Sequence, residues 1–124
     1  MNGKVLLVDD SGLARRSTRR VLEEAGYEVV EAEDGLSALE RFSVDKPDVV
    51  LLDLVMKGMY GLDVLARIRE MNPAARVIVV SADVQTSSRD LVQAGGAAGF
   101  INKPATPGQI VQMVEQVMKG ASWS

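Results

Sequence analysis

Asp9, Asp10, Asp53, Ser81 and Lys103 carry the chemistry this chain has to offer, and each stands at or just past the end of an apolar run. Cysteine and histidine are both absent. That removes disulfides, thiolate nucleophiles, zinc sites and every mechanism with an imidazole base. What is left is carboxylate chemistry. Three carboxylates brought together repel one another unless a cation or protons compensate, and an all-oxygen donor set suits a hard divalent ion, with Mg²⁺ the first choice. Magnesium accepts one or two carboxylates, a backbone carbonyl and several waters, and leaves room for a phosphate oxygen. Asp53 is then a candidate nucleophile toward phosphorus, giving an acyl phosphate, with Lys103 and the Ser81 hydroxyl placed to meet the transferred oxygens.

The elements that must bring these residues together are five strands and five helices in alternation. The apolar runs Val5–Val8, Glu28–Ala32, Val49–Leu52, Val77–Val80 and Ala97–Ile101 read as strands. Three of them are nearly continuous in Val, Leu and Ile, the pattern of strands covered on both faces. Each intervening segment has room for a helix and carries its punctuation. Ser11 serves as an N-cap and Gly26 as a left-handed stop, with Leu13, Val21 and Leu22 apolar between them. Asp34 caps a second helix bearing Leu36, Leu39 and Phe42, which Pro47 forbids from continuing. A third spans about Leu62 to Met71, and a fourth about Gln85 to Ala94, ended by Gly95-Gly96. The fifth has Thr106 as N-cap, Pro107 in its first turn, Gln109 completing a capping box and Gly120 as its stop.

Alternation of this kind predicts right-handed crossovers and an open parallel α/β sheet of the flavodoxin-like (βα)5 type, doubly wound, with strand order 2-1-3-4-5. Ligands of such sheets bind beyond the carboxyl ends of the strands, where all five polar residues fall. Size and balance narrow the classes further. The 124 residues suffice for one core, read as a domain over 1–120 with a frayed tail over 121–124 that includes Trp123. A net charge of −3 argues against a phosphate backbone as partner. Met1-Asn2-Gly3-Lys4 fits no signal peptide and no run reaches spanning length, so the expected location is cytoplasmic.

The ordered set LLVDD at Leu6–Asp10, VVLLD at Val49–Asp53, VVSA at Val79–Ala82 and GFINKP at Gly99–Pro104 resembles the receiver domain of two-component response regulators, in length close to the stand-alone chemotaxis type. The likeness runs from Lys4 to about Lys119. It implies Asp53 as phosphoacceptor, Asp10 as direct Mg²⁺ ligand, Asp9 as a ligand chiefly through water, and the Val55 backbone carbonyl as the third protein ligand. Ser81, Ala82 and Lys103 become the phosphate-binding set, Phe100 the aromatic switch position and Lys103-Pro104 a cis peptide. Val55 and Asp83 match positions that tune loss of the phosphoryl group. The segment after the acceptor departs from the family's usual pattern: Met56, Met59 and Gly61 are kept, but Lys57 and Tyr60 are not the customary residues.

The function so implied is that of a single-domain response regulator. A sensor histidine kinase or phosphotransfer protein donates to Asp53, and a helical surface then binds a protein effector not named by the sequence. Binding rather than turnover is the output, although the domain assists its own phosphorylation and dephosphorylation. No direct nucleic-acid contact or membrane insertion is expected, and the chain is read as a monomer, with dimerisation on phosphorylation left open. Two alternatives stay open: a small Mg²⁺-dependent phosphohydrolase using Asp53 covalently, and a pseudo-receiver scaffold that is never phosphorylated.

Overall fold

The computed structural model describes residues 3–56, 60–82 and 86–120. Five strands, β1 (Lys4–Val8), β2 (Glu28–Ala32), β3 (Val49–Asp53), β4 (Val77–Ser81) and β5 (Gly99–Asn102), alternate with α1 (Gly12–Glu24), α2 (Gly35–Asp45), α3 (Gly61–Met71), α4 (Thr86–Ala94) and α5 (Pro107–Met118). The strands are parallel throughout and lie in the order β2-β1-β3-β4-β5. This is the flavodoxin-like arrangement expected from the alternation of runs.

Side chains alternate across a strand with a period of two, and that alternation builds two separate cores. Leu6, Val8, Val50, Leu52, Val77, Val79 and Phe100 pack with α2, α3 and Val92 of α4 on one face. Val5, Leu7, Val49, Leu51, Ile78 and Ile101 pack with Leu22 of α1 and Val114 and Val117 of α5 on the other. The expected helix stripes are largely confirmed: Val64, Leu65 and Ile68 are fully buried. Leu13 and Leu36 are not part of either core, at 75% and 74% exposed. Both lie on the outer face of their helices, Leu13 in line with exposed Ser17 and Arg20 and Leu36 in line with exposed Glu40 and Ser43, while Ala14 and Ala38 take the inward positions.

Side-chain caps set three of the helix starts. The Ser11 side chain accepts from the Ala14 N–H, and Thr106 with Gln109 forms a reciprocal capping box, as does Asp34 with Ser37. Such caps contribute about 1 kcal/mol each. The fifth strand begins at Gly99 rather than Ala97, because the preceding residues finish α4: Gly96 takes φ +88° and the Ala97 N–H turns back to the Val92 carbonyl at 3.3 Å. The tail at 121–124 with Trp123, together with Lys57, Met59, Asp83 and Gln85, lies outside the described residues. No helix among the described residues is long and apolar enough to cross a membrane.

Candidate functional site

The same period-two alternation that sorts the cores also aims the polar residues at the strand ends. Asp9 follows Val5 and Leu7 onto the α1/α5 side, Asp53 follows Val49 and Leu51, and Lys103 follows Ile101. The three meet there: Lys103 Nζ lies 3.5 Å from Asp9 Oδ2 and 3.3 Å from Asp53 Oδ2. Asp10 joins them, since carboxylate oxygens of Asp9, Asp10 and Asp53 all fall within 4.8 Å of one another. A cavity of about 420 Å³ opens over this cluster, floored by Leu7, Leu51 and Val80 and walled by Ala14 of α1 and Ile110 of α5.

Asp9 is buried, at 7% exposed, and its Oδ1 accepts from the Ser11 N–H at 2.9 Å. Asp10 is exposed. The Val55 N–H approaches Asp53 Oδ1 at 3.4 Å while the Val55 side chain is 61% exposed, so that peptide faces the site and the side chain faces its rim. Ser81 ends β4 one residue out of phase with Asp53. It therefore belongs to the face of Val79 and Phe100, and it is buried at 1% exposed. Ala82 lines the cavity. The Lys103 N–H donates to the Ser81 carbonyl at 2.8 Å, which ties the lysine to the end of β4, and the Lys103-Pro104 peptide is cis.

Phe100 is already buried at 9% exposed, with the Arg89 guanidinium 5.6 Å from its ring centre. Gly61 shows why the loop after Asp53 needs glycine. A Cβ there would lie 2.6 Å from the Leu54 carbonyl oxygen and 2.8 Å from that of Asp53, and the Gly61 N–H donates to Leu54 O at 2.8 Å. The sequence pattern kept Gly61 without revealing this close approach.

Electrostatics favour a cation here. Three carboxylates against one ammonium leave an excess of two negative charges, and every donor is a hard oxygen, so the residues fit Mg²⁺. Burial pushes the Asp53 carboxyl above its ordinary value; the Lys103 charge opposes this and the Asp9 charge adds to it. The folded chain thus holds the Asp53 proton more tightly than the unfolded chain. Ionising Asp53 costs stability as pH rises from the ordinary carboxylate range through the raised value. With cations chelated, Asp53→Asn is expected to raise Tm by roughly 3 °C at about pH 7. The advantage should vanish at about pH 3, where Asp53 is protonated in both states. A Tm equal to or below wild type at neutral pH contradicts the electrostatic account.

Comparison with known proteins identifies the family and the fold. Residues 5–115 match the family model described as the response regulator receiver domain. The chain belongs to that family. It is similar to the chemotaxis protein CheY of Thermotoga maritima, at 37% identity over 120 residues covering 96% of this chain and all of that protein. Among solved structures it superimposes on a two-component response regulator of the LuxR family from Aurantimonas sp. with TM-score 0.92 and 30% identity, covering 97% of this chain and 87% of the other. It also superimposes on a chain of the CheX-CheY-BeF3-Mg complex from Borrelia burgdorferi, with TM-score 0.87 and 31% identity over 92% of this chain and 87% of that one.

Proposed function

We propose that this receiver domain accepts a phosphoryl group on Asp53 from a phosphohistidine of a sensor kinase or phosphotransfer protein. The modified domain then offers an altered surface to a protein effector, in chemotaxis or a related relay. One observation carries the reading: Asp53, Asp9, Asp10 and Lys103, from three separate strand ends, converge beneath an open cavity. A solvated turn or a simple helix cap has no reason to gather them. The likeness to CheY proteins supports the chemotaxis branch.

In the transfer step an Asp53 carboxylate oxygen forms the new bond to phosphorus as the donor's phosphorus–nitrogen bond breaks. The imidazole keeps the electron pair and takes up a proton. Lys103 Nζ, already beside Asp53 Oδ2, pairs with the oxygens of the transferred group. Asp9, Asp10, Asp53 and the Val55 carbonyl are the groups that would hold Mg²⁺, which when bound neutralises charge on the transferring oxygens. Ser81, on the Phe100 face, donates its hydroxyl proton in a hydrogen bond to an oxygen of the phosphoryl group and links the site to β5, α4 and α5. Each charge-assisted contact supplies about 1.5–3 kcal/mol, enough to shift a balance between two surface states and too little to rebuild the fold.

Amide shifts on adding beryllofluoride and Mg²⁺ to the whole chain test this. Shifts at Ser81, Phe100 and along α5 are expected, whereas shifts confined to the loops around Asp53 contradict the coupling to a distant surface. The exposed Val55 side chain sits where a water would approach the acyl phosphate and gives that water nothing to bond. Val55→Asn is therefore expected to speed decay of the phosphorylated protein severalfold, followed by intact mass over time. An unchanged decay rate removes Val55 from that role.

A further inference from the structure

We propose that Arg15, braced by Glu31, is a positioning residue for the acidic pair: it fixes the peptide between Asp9 and Asp10 and so aims the Asp10 carboxylate into the cation site. This rests on the reading of the cluster as a divalent-cation site and adds residues that the phosphoacceptor pattern does not contain.

Asp9 is held at every polar atom. Its N–H donates to the Ala32 carbonyl at 3.2 Å, its Oδ1 accepts from Ser11 N–H at 2.9 Å, and its Oδ2 faces Lys103 Nζ at 3.5 Å. The remaining atom is the carbonyl oxygen, which accepts from Arg15 Nη1 at 2.7 Å. That oxygen belongs to the planar unit whose nitrogen is Asp10's own, so fixing it fixes the plane from which Asp10 departs. β1 and its ladders end at Val8, and Asp10 is exposed beyond them.

Arg15 is itself constrained. Its Nε donates to Glu31 Oε1 at 2.8 Å, and Glu31, on β2, also accepts from Arg19, which in turn pairs with Glu23 one helical turn on. One guanidinium thus bridges the β2 carboxylate and the β1–α1 peptide along two divergent N–H directions. A lysine ammonium, a point charge on a flexible stem, cannot hold both in fixed relation. Partners of this kind behind metal ligands are worth about 10–100-fold in metal affinity.

Coulomb's law alone makes the opposite forecast, because a positive charge near a cation site weakens cation binding. That opposition makes the test decisive. Mg²⁺ is titrated into the whole chain without any phosphodonor, followed by amide shifts, for wild type, Arg15→Met, Arg15→Lys and Glu31→Gln, with thermal unfolding in chelator measured alongside. Arg15→Met and Arg15→Lys are expected to bind Mg²⁺ about 10-fold more weakly. Glu31→Gln, which leaves Arg15 in place but less braced, is expected to bind severalfold more weakly. Tighter binding by Arg15→Met, or wild-type affinity in Arg15→Lys and Glu31→Gln, overturns the proposal and leaves the cation site standing. A wild-type chain that binds no Mg²⁺ overturns both.

Discussion

Asp53→Asn takes up no phosphoryl group from a small phosphodonor under conditions in which the wild-type chain takes up one. The expectation follows from geometry before chemistry. Asp53 is the last residue of the central strand β3, is half-buried, and like Asp9 faces both Lys103 and the cavity. Asp9 is consumed by the Ser11 N–H and Lys103, and Asp10 stands exposed at the rim. The amide of asparagine occupies nearly the same space, so the fold survives while the nucleophilic oxygen pair is lost. Intact-mass measurement reads the result, and undiminished incorporation in Asp53→Asn removes Asp53 as the acceptor.

A second large effect comes from a residue with no side chain. Gly61→Ala places a methyl group 2.6 Å from the Leu54 carbonyl oxygen and 2.7 Å from Leu54 Cα, and both obstacles are backbone. The chain can relieve this only by parting the first turn of α3 from the end of β3. A loss of about 3 kcal/mol is expected, lowering Tm by roughly 10 °C. The same displacement moves the Asp53 backbone, and misplacing a reacting group by about 1 Å costs on the order of 100-fold in rate. Gly12→Ala is the control. Its methyl would meet only the ends of Arg15 and Arg16 at 4.0 Å, so stability at or above wild type is expected. A Gly61→Ala protein as stable and as readily phosphorylated as Gly12→Ala contradicts this account of the loop.

The sequence made the strand ends legible because burial on both faces leaves an unmistakable apolar run, and the first polar residue after each run is where the sheet stops. Period-two alternation sorts the polar residues by face only once the register of the parallel strands is known, and it then separates Asp9, Asp53 and Lys103 from Ser81 and Phe100. Helix punctuation was equally local: Ser11, Asp34 and Thr106 each satisfy N–H groups within three residues. What stayed hidden depends on contacts between distant segments. Arg15 and Arg19 read as ordinary solvated positions of α1 until β2 brings Glu31 alongside. Gly61 reads as a loop glycine until α3 closes on Leu54. The bounds of β5 shifted because Ala97, suitable for a strand, is claimed by the end of α4, and competition of that kind leaves no mark in composition. Leu13 and Leu36 misled for the opposite reason, since an apolar residue in a first turn can stand on the outer helix face, as these do beside exposed Ser17 and Glu40.

The most direct test of the central claim is to find where the phosphoryl group resides in the wild-type chain. The protein is treated with a small phosphodonor in Mg²⁺ and in chelator, the acyl phosphate is trapped by hydride reduction, and the modified residue is located by tandem mass spectrometry. The account predicts a single reduced position, residue 53, appearing with Mg²⁺ and absent in chelator. Labelling at Asp9 or Asp10, or labelling of Asp53 that is indifferent to Mg²⁺, would contradict it.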